Sequence, residues 1–159
     1  MRKAVMPFVL SMGLIALWAA PANAASTRAE YIAQADPICQ STLQAERQAL
    51  GPKGTVFRLL KKGRYKEAAR RYRNTIAAFA PGVEQVAAVE PPITDAQVIG
   101  SWVQMLRAQI PVAKRATDAM AHGRTQGKRL IKFLELLGLM NVKTRTLVAN
   151  FGFQYCQNL

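Results

Sequence analysis

The chain has only two cysteines, Cys39 and Cys156. In an exported chain, which the leader described below indicates, an even pair favours a disulfide over metal binding or thiol redox chemistry, because the compartment is oxidising. The two stand 117 positions apart. Bonding them would remove, in the chain-entropy model, on the order of 4–5 kcal/mol of unfolded-state entropy.

A second grouping is electrostatic. Lys61, Lys62, Arg64, Lys66, Arg70, Arg71 and Arg73 fall within a short run opposed only by Glu67. Read as a helix, the run presents a broad basic face opposite its apolar residues. Such a face binds polyanions by counterion release, without selectivity for sequence or shape. The plainer alternative is a solvated face. Lys128, Arg129, Lys132, Lys143 and Arg145 could extend it.

Other reactive types are sparse. His122 is the single histidine, too few for a triad or a histidine-based metal site. Gly123-Arg-Thr-Gln-Gly127-Lys128 is one residue short of a phosphate-binding loop, and Arg129 stands where a magnesium-binding hydroxyl would be needed. Glu84, Glu90 and Asp95 surround Pro91-Pro92 as a solvated acidic cluster. Asp36, beside Pro37, reads as a local cap rather than an acid catalyst. Trp102 reads as a packing anchor. No cofactor or metal is implied, and no catalytic constellation is present.

Residues 1–24 read as a secretory signal peptide: Arg2 and Lys3, then an uncharged apolar run, then Ala22-Asn23-Ala24 at the cleavage site. The expected localisation is secreted, periplasmic or cell-envelope. Residues 25–159 form one domain. Losing Arg2 and Lys3 lowers the formal net charge from +13 to +11, which draws the chain to anionic surfaces.

Four long helices position these residues. Ser26 and Thr27 cap the first, with Glu30 as a capping-box partner. Its apolar phase continues through Pro37, so a bend is favoured over a new helix capped by Asp36. Gly51-Pro52-Lys53-Gly54 ends it, and a short helix covers Thr55 to Lys62. Tyr65, Ala69, Tyr72, Ile76, Phe79, Val83 and Val86 then alternate at spacings of four and three through Pro81, which predicts one kinked helix. Thr94 is expected to cap the next, with Ile99, Trp102, Leu106, Ile110, Ala113 and Met120 facing inward through Pro111. The last runs from about Thr125 to Asn150 and is apolar nearly all round between Leu130 and Val142, so it is expected to be the most buried. No segment alternates at the period of a strand.

The fold class expected is therefore all-α, an antiparallel up-down bundle of four long, partly proline-kinked helices closed by one disulfide. First and last helices would be neighbours. The tail must turn at Gly152 and fold back, since four residue steps span at most about 14 Å, packing Phe153 or Tyr155 against Ile32 and Ala35.

Ala35-Asp36-Pro37-Ile38-Cys39 behind a leader, and Phe151-Gly152-Phe153-Gln154-Tyr155-Cys156 near the end, resemble a group of small uncharacterised exported helical proteins of actinobacteria. Those carry an early Ala-Asp-x-Ile-Cys element and a Gly-x-x-x-Cys ending. Pro37 departs from the group, which has a small helix-forming residue there. The resemblance implies export and a disulfide but no activity.

The first functional expectation is a non-catalytic binding or scaffolding domain for an anionic envelope component, a polymer or lipid headgroups, with nucleic acid a lesser candidate. The alternative is a surface-active protein that docks on membranes through amphipathic helices. An enzyme is a third, and would need a deep pocket with converging polar groups.

Overall fold

The computed structural model describes residues 27–123 and 127–159; the signal-peptide segment, residues 1–24, lies outside them. The described chain is all-α. Its elements are α1 (Arg28–Leu50), α2 (Thr55–Lys61), α3 (Tyr65–Ala87), α4 (Ala96–Ala121), α5 (Gly127–Val148) and a 3₁₀ turn (Cys156–Asn158).

Thr27 caps α1 as the sequence indicated. Its side chain accepts from the Glu30 N–H, and the Glu30 carboxylate accepts from the Thr27 N–H at 2.9 Å. Gly51, with φ 76°, ends the helix in the left-handed region where only glycine is unstrained. Pro37, Pro81 and Pro111 all lie inside unbroken helices. Each is exposed, as are Ala33, Ala77 and Arg107 one turn earlier. The carbonyls that lose an intrahelical donor therefore face water, and the apolar phase survives each proline.

One long-range helix contact is set by a glycine. A Cβ on Gly82 of α3 would overlap the Thr42 side chain of α1, so the two helices cross at glycine distance. Here the absent side chain offsets the usual helical cost of glycine.

Cys39 and Cys156 are bonded, with Cα atoms 5.0 Å apart. The tail takes the path expected of it. α5 stops at Val148, Gly152 adopts φ 101°, and Phe153 is buried. Its ring stacks on Phe151 at 4.6 Å and on Trp102 at 5.5 Å, and meets Tyr31 of α1 at 6.0 Å. Ile32 and Ala35 belong to the same cluster. Tyr155 remains exposed.

Asp36 is a cap, but not a local one. Its carboxylate accepts the backbone N–H groups of Gln154 (2.8 Å), Tyr155 (3.0 Å) and Cys156 (3.0 Å). A residue of α1 thus closes the N-terminus of a turn more than 100 positions away, beside the disulfide.

The structure corrects three further expectations. Asp95, not Thr94, precedes α4, and its side chain makes no capping bond. Asp95 is also not a solvated member of an acidic cluster: it is buried and accepts two hydrogen bonds from Arg28, at 2.6 and 3.0 Å. This bond holds its carboxyl below the ordinary range. Glu84 stays exposed and pairs with Arg107 at 2.9 Å.

The third correction is the largest. α5 is not the most buried helix; Thr144 and Val148 are its only buried residues. It packs along α4, while α1 packs along α3 and hardly touches α5. The first and last helices are joined through the tail instead of through their own faces. A helix with one principal neighbour can bury one stripe, whatever its composition.

Candidate functional site

Three features could bind something: the cations of α2 and α3, the uncovered face of α5, and a cavity between the helices.

The seven cations do not lie on one face. Lys66, Arg70 and Arg73 share the exposed side of α3, spaced to project together at about 100° per residue. Arg71 points away from them. It is partly buried, its Nε has no partner, and its guanidinium lies against the Gly51 turn. Arg64 pairs with Glu67. Lys61 sits over the Phe57 ring at 4.8 Å, on the separate helix α2, and Lys62 caps that helix. Three free cations on one face is an ordinary solvated arrangement.

α5 differs in kind. Ile131, Leu139 and Val142 are 57%, 65% and 64% exposed, and Leu134, Leu136 and Leu147 are also exposed. On the wheel the first three fall on the side opposite Thr144 and Val148, interleaved with Lys128, Lys132 and Lys143 and a single carboxylate, Glu135. Monomeric soluble proteins rarely leave such a row uncovered without an interaction to serve. Sequence reasoning found the apolar residues but assigned them to the core. No described helix is long and apolar enough to cross a membrane.

The cavity arises because α5 and α1 do not close on each other. It measures about 310 Å³ and opens between α1, α3, α4, α5 and the tail. Ile76, Phe79, Ile110, Leu134, Leu137 and Leu159 supply apolar walls; Glu46, Tyr72, Thr75, Gln109, Asn141 and Asn158 are its polar members. One Glu46 carboxylate oxygen is buried with no hydrogen-bond partner. Burial, opposed by the nearby Arg47 charge, pushes the Glu46 carboxyl up to about 7. Burial and then the Glu46 charge push Tyr72 upward as well. Glu46 carried no sequence signal, because its burial depends on the packing of α3 against α1.

A pH prediction follows. The folded Glu46 value lies above its ordinary 4.5, so the folded state binds the extra proton. Its stabilising contribution is complete below about pH 4.5 and is lost as pH rises through about 7. The gap corresponds to about 3 kcal/mol. Glu46→Gln should therefore be more stable than the parent at pH 8, by up to about 3 kcal/mol, and indistinguishable from it at pH 4. Urea melts at both pH values check this; equal stability of the two proteins at pH 8 would contradict it.

Among the described residues, no group of three or more metal-binding side chains converges. His122 sits at the end of α4, with Nδ1 2.7 Å from the Asp118 carbonyl. No family model, curated protein or solved structure matches the chain.

Proposed function

We propose that this is a non-catalytic, exported helical domain that docks on anionic lipid surfaces, with α5 lying in the membrane interface. The observation that carries the reading is the uncovered face of α5, where Ile131, Leu139 and Val142 alternate with Lys128, Lys132 and Lys143. An interfacial helix needs this chemistry: apolar side chains to enter the acyl boundary, and lysines whose stems lie along it while their charges meet the phosphates. A second copy of the chain is a poorer occupant, because it would set lysines against lysines. The net charge of +11 left once Arg2 and Lys3 depart with the leader supplies long-range attraction to the same surface. The anionic envelope component expected from the sequence is thereby narrowed to lipid, and the α3 cations become auxiliary.

The test is co-sedimentation with phosphatidylglycerol vesicles. Part of the binding should persist in about 1 M sodium chloride, where the Debye length is about 3 Å. The triple variant Ile131→Ser, Leu139→Ser, Val142→Ser should lose at least about tenfold in affinity, a conservative figure given about 1.5–3 kcal/mol per fully buried aliphatic side chain. All three positions are exposed, so the fold should be kept. Binding that vanishes in high salt and ignores the triple variant would return the protein to simple polyanion binding. A salt-resistant dimer abolished by the variant, without vesicle binding, would make the face a self-association surface and overturn the reading.

A further inference from the structure

We propose that the cavity between the helices is a binding site for a single-chain apolar compound whose head group donates hydrogen bonds, an alkyl alcohol or an alkylamine. This stands apart from membrane docking: the cavity lies on the inner side of α5, and the lysine-bearing row on its outer side.

Size comes first. At about 30 Å³ per water-sized group, a volume of about 310 Å³ admits on the order of ten heavy atoms. Its walls are mainly aliphatic and aromatic, which favours a chain over a polar metabolite.

Head-group chemistry comes from what the polar members have left to offer. Glu46 lines the cavity, and one of its carboxylate oxygens is closed to solvent with no partner. The Gln109 side-chain nitrogen is spent on Thr144 at 2.8 Å, which leaves its carbonyl oxygen. The Thr75 hydroxyl donates to the Arg71 carbonyl at 3.1 Å, which leaves its lone pairs. Tyr72 and Asn141 can donate as well as accept, so the bias toward a donating head group comes from Glu46, the one carboxylate side chain of the lining. None of its lining residues is Lys, Arg or His, although the chain carries 22 Lys and Arg. A ligand that donates would suit the Glu46 carboxylate; a carboxylate would face it with no cation in the lining, Arg47 acting on Glu46 only from outside the cavity.

Gly138 is the third observation. It lies inside α5, where glycine costs about 1 kcal/mol relative to alanine, and it borders the cavity. A Cβ there would meet no atom within 4 Å. Unlike Gly82, it is required by no helix contact, and its missing side chain leaves the cavity open.

Calorimetric titration at pH 7 with decylamine, 1-decanol and decanoate, each below its aggregation threshold, tests the site. Decylamine and 1-decanol should bind one per chain, and decanoate at least about tenfold more weakly, the equivalent of one charge-assisted contact. Gly138→Leu adds bulk at the border of the cavity, where a Cβ displaces nothing. It should keep or raise thermal stability and weaken both ligands by at least about tenfold. Glu46→Gln should cost decylamine about tenfold and 1-decanol less than about threefold. The triple serine variant of the outer face should bind decylamine as the parent does. Absence of stoichiometric binding by both donor-headed compounds, binding unaltered by Gly138→Leu, decanoate equal to decylamine, or loss of decylamine in the outer-face variant would each overturn the proposal.

Discussion

Reduction of the Cys39–Cys156 bond should lower the unfolding free energy by about 5 kcal/mol, the loop-closure value for a cross-link of this span. The two cysteines are 117 positions apart, so the bond restrains nearly the whole described chain in its unfolded state. Domains of this size are stable by only about 5–15 kcal/mol, so the reduced protein should sit near its folding threshold at room temperature. The core offers partial compensation, since Phe151, Phe153 and Leu159 are buried on their own account. Urea unfolding with and without reductant, followed by far-ultraviolet circular dichroism, gives the difference. A loss below about 1 kcal/mol would show that the unfolded state is already compact and the closure argument does not apply.

Asp36→Ala should be the most damaging single substitution of a polar residue, costing about 3–4 kcal/mol. Three N–H groups share this carboxylate, and bonds to a charged acceptor are worth about 1.5–3 kcal/mol each when counted singly. They share one anchor, so the values do not add. Asp36→Asn should fall between. It keeps one oxygen for two of the amides and turns an NH₂ group toward the third. Because the disulfide still tethers the tail, the damage should be local: amide exchange at Gln154, Tyr155 and Cys156 should accelerate far more than exchange in α3. Unchanged protection at those three amides in Asp36→Ala would contradict the assignment.

These two interactions also show where the sequence was legible. The disulfide was legible from the count of two cysteines and from the leader expected of residues 1–24, since the oxidising compartment it implies favours pairing. The heptad-like seam of α3 survived Pro81 because the proline is exposed and its orphaned carbonyl needs only water. Asp36 was visible as a cap but not as a cap for residues 154–156, since side-chain type gives no partner at that distance. Asp95 was placed in solvent for the same reason: Arg28, which buries it, lies 67 positions earlier. The misplacement of α5 is the most instructive. All-round apolarity specifies a helix that needs covering, and only the packing of the other helices decides whether the domain itself supplies the cover. Here α1 and α3 pair tightly at Gly82, α5 is left at the edge, and both the cavity and the exposed row follow from that arrangement.

The placement of α5 on the membrane is tested most directly by Leu139→Trp, with Ser101→Trp on the exposed side of α4 as its control. Emission changes are read against the unsubstituted protein, whose Trp102 is fully buried. With phosphatidylglycerol vesicles in about 1 M sodium chloride, where the Debye length is about 3 Å, the tryptophan at position 139 should shift to the blue and be quenched by brominated acyl chains, while the one at position 101 should do neither. Equal responses at the two positions, or no response at position 139 while the protein sediments with the vesicles, would contradict it.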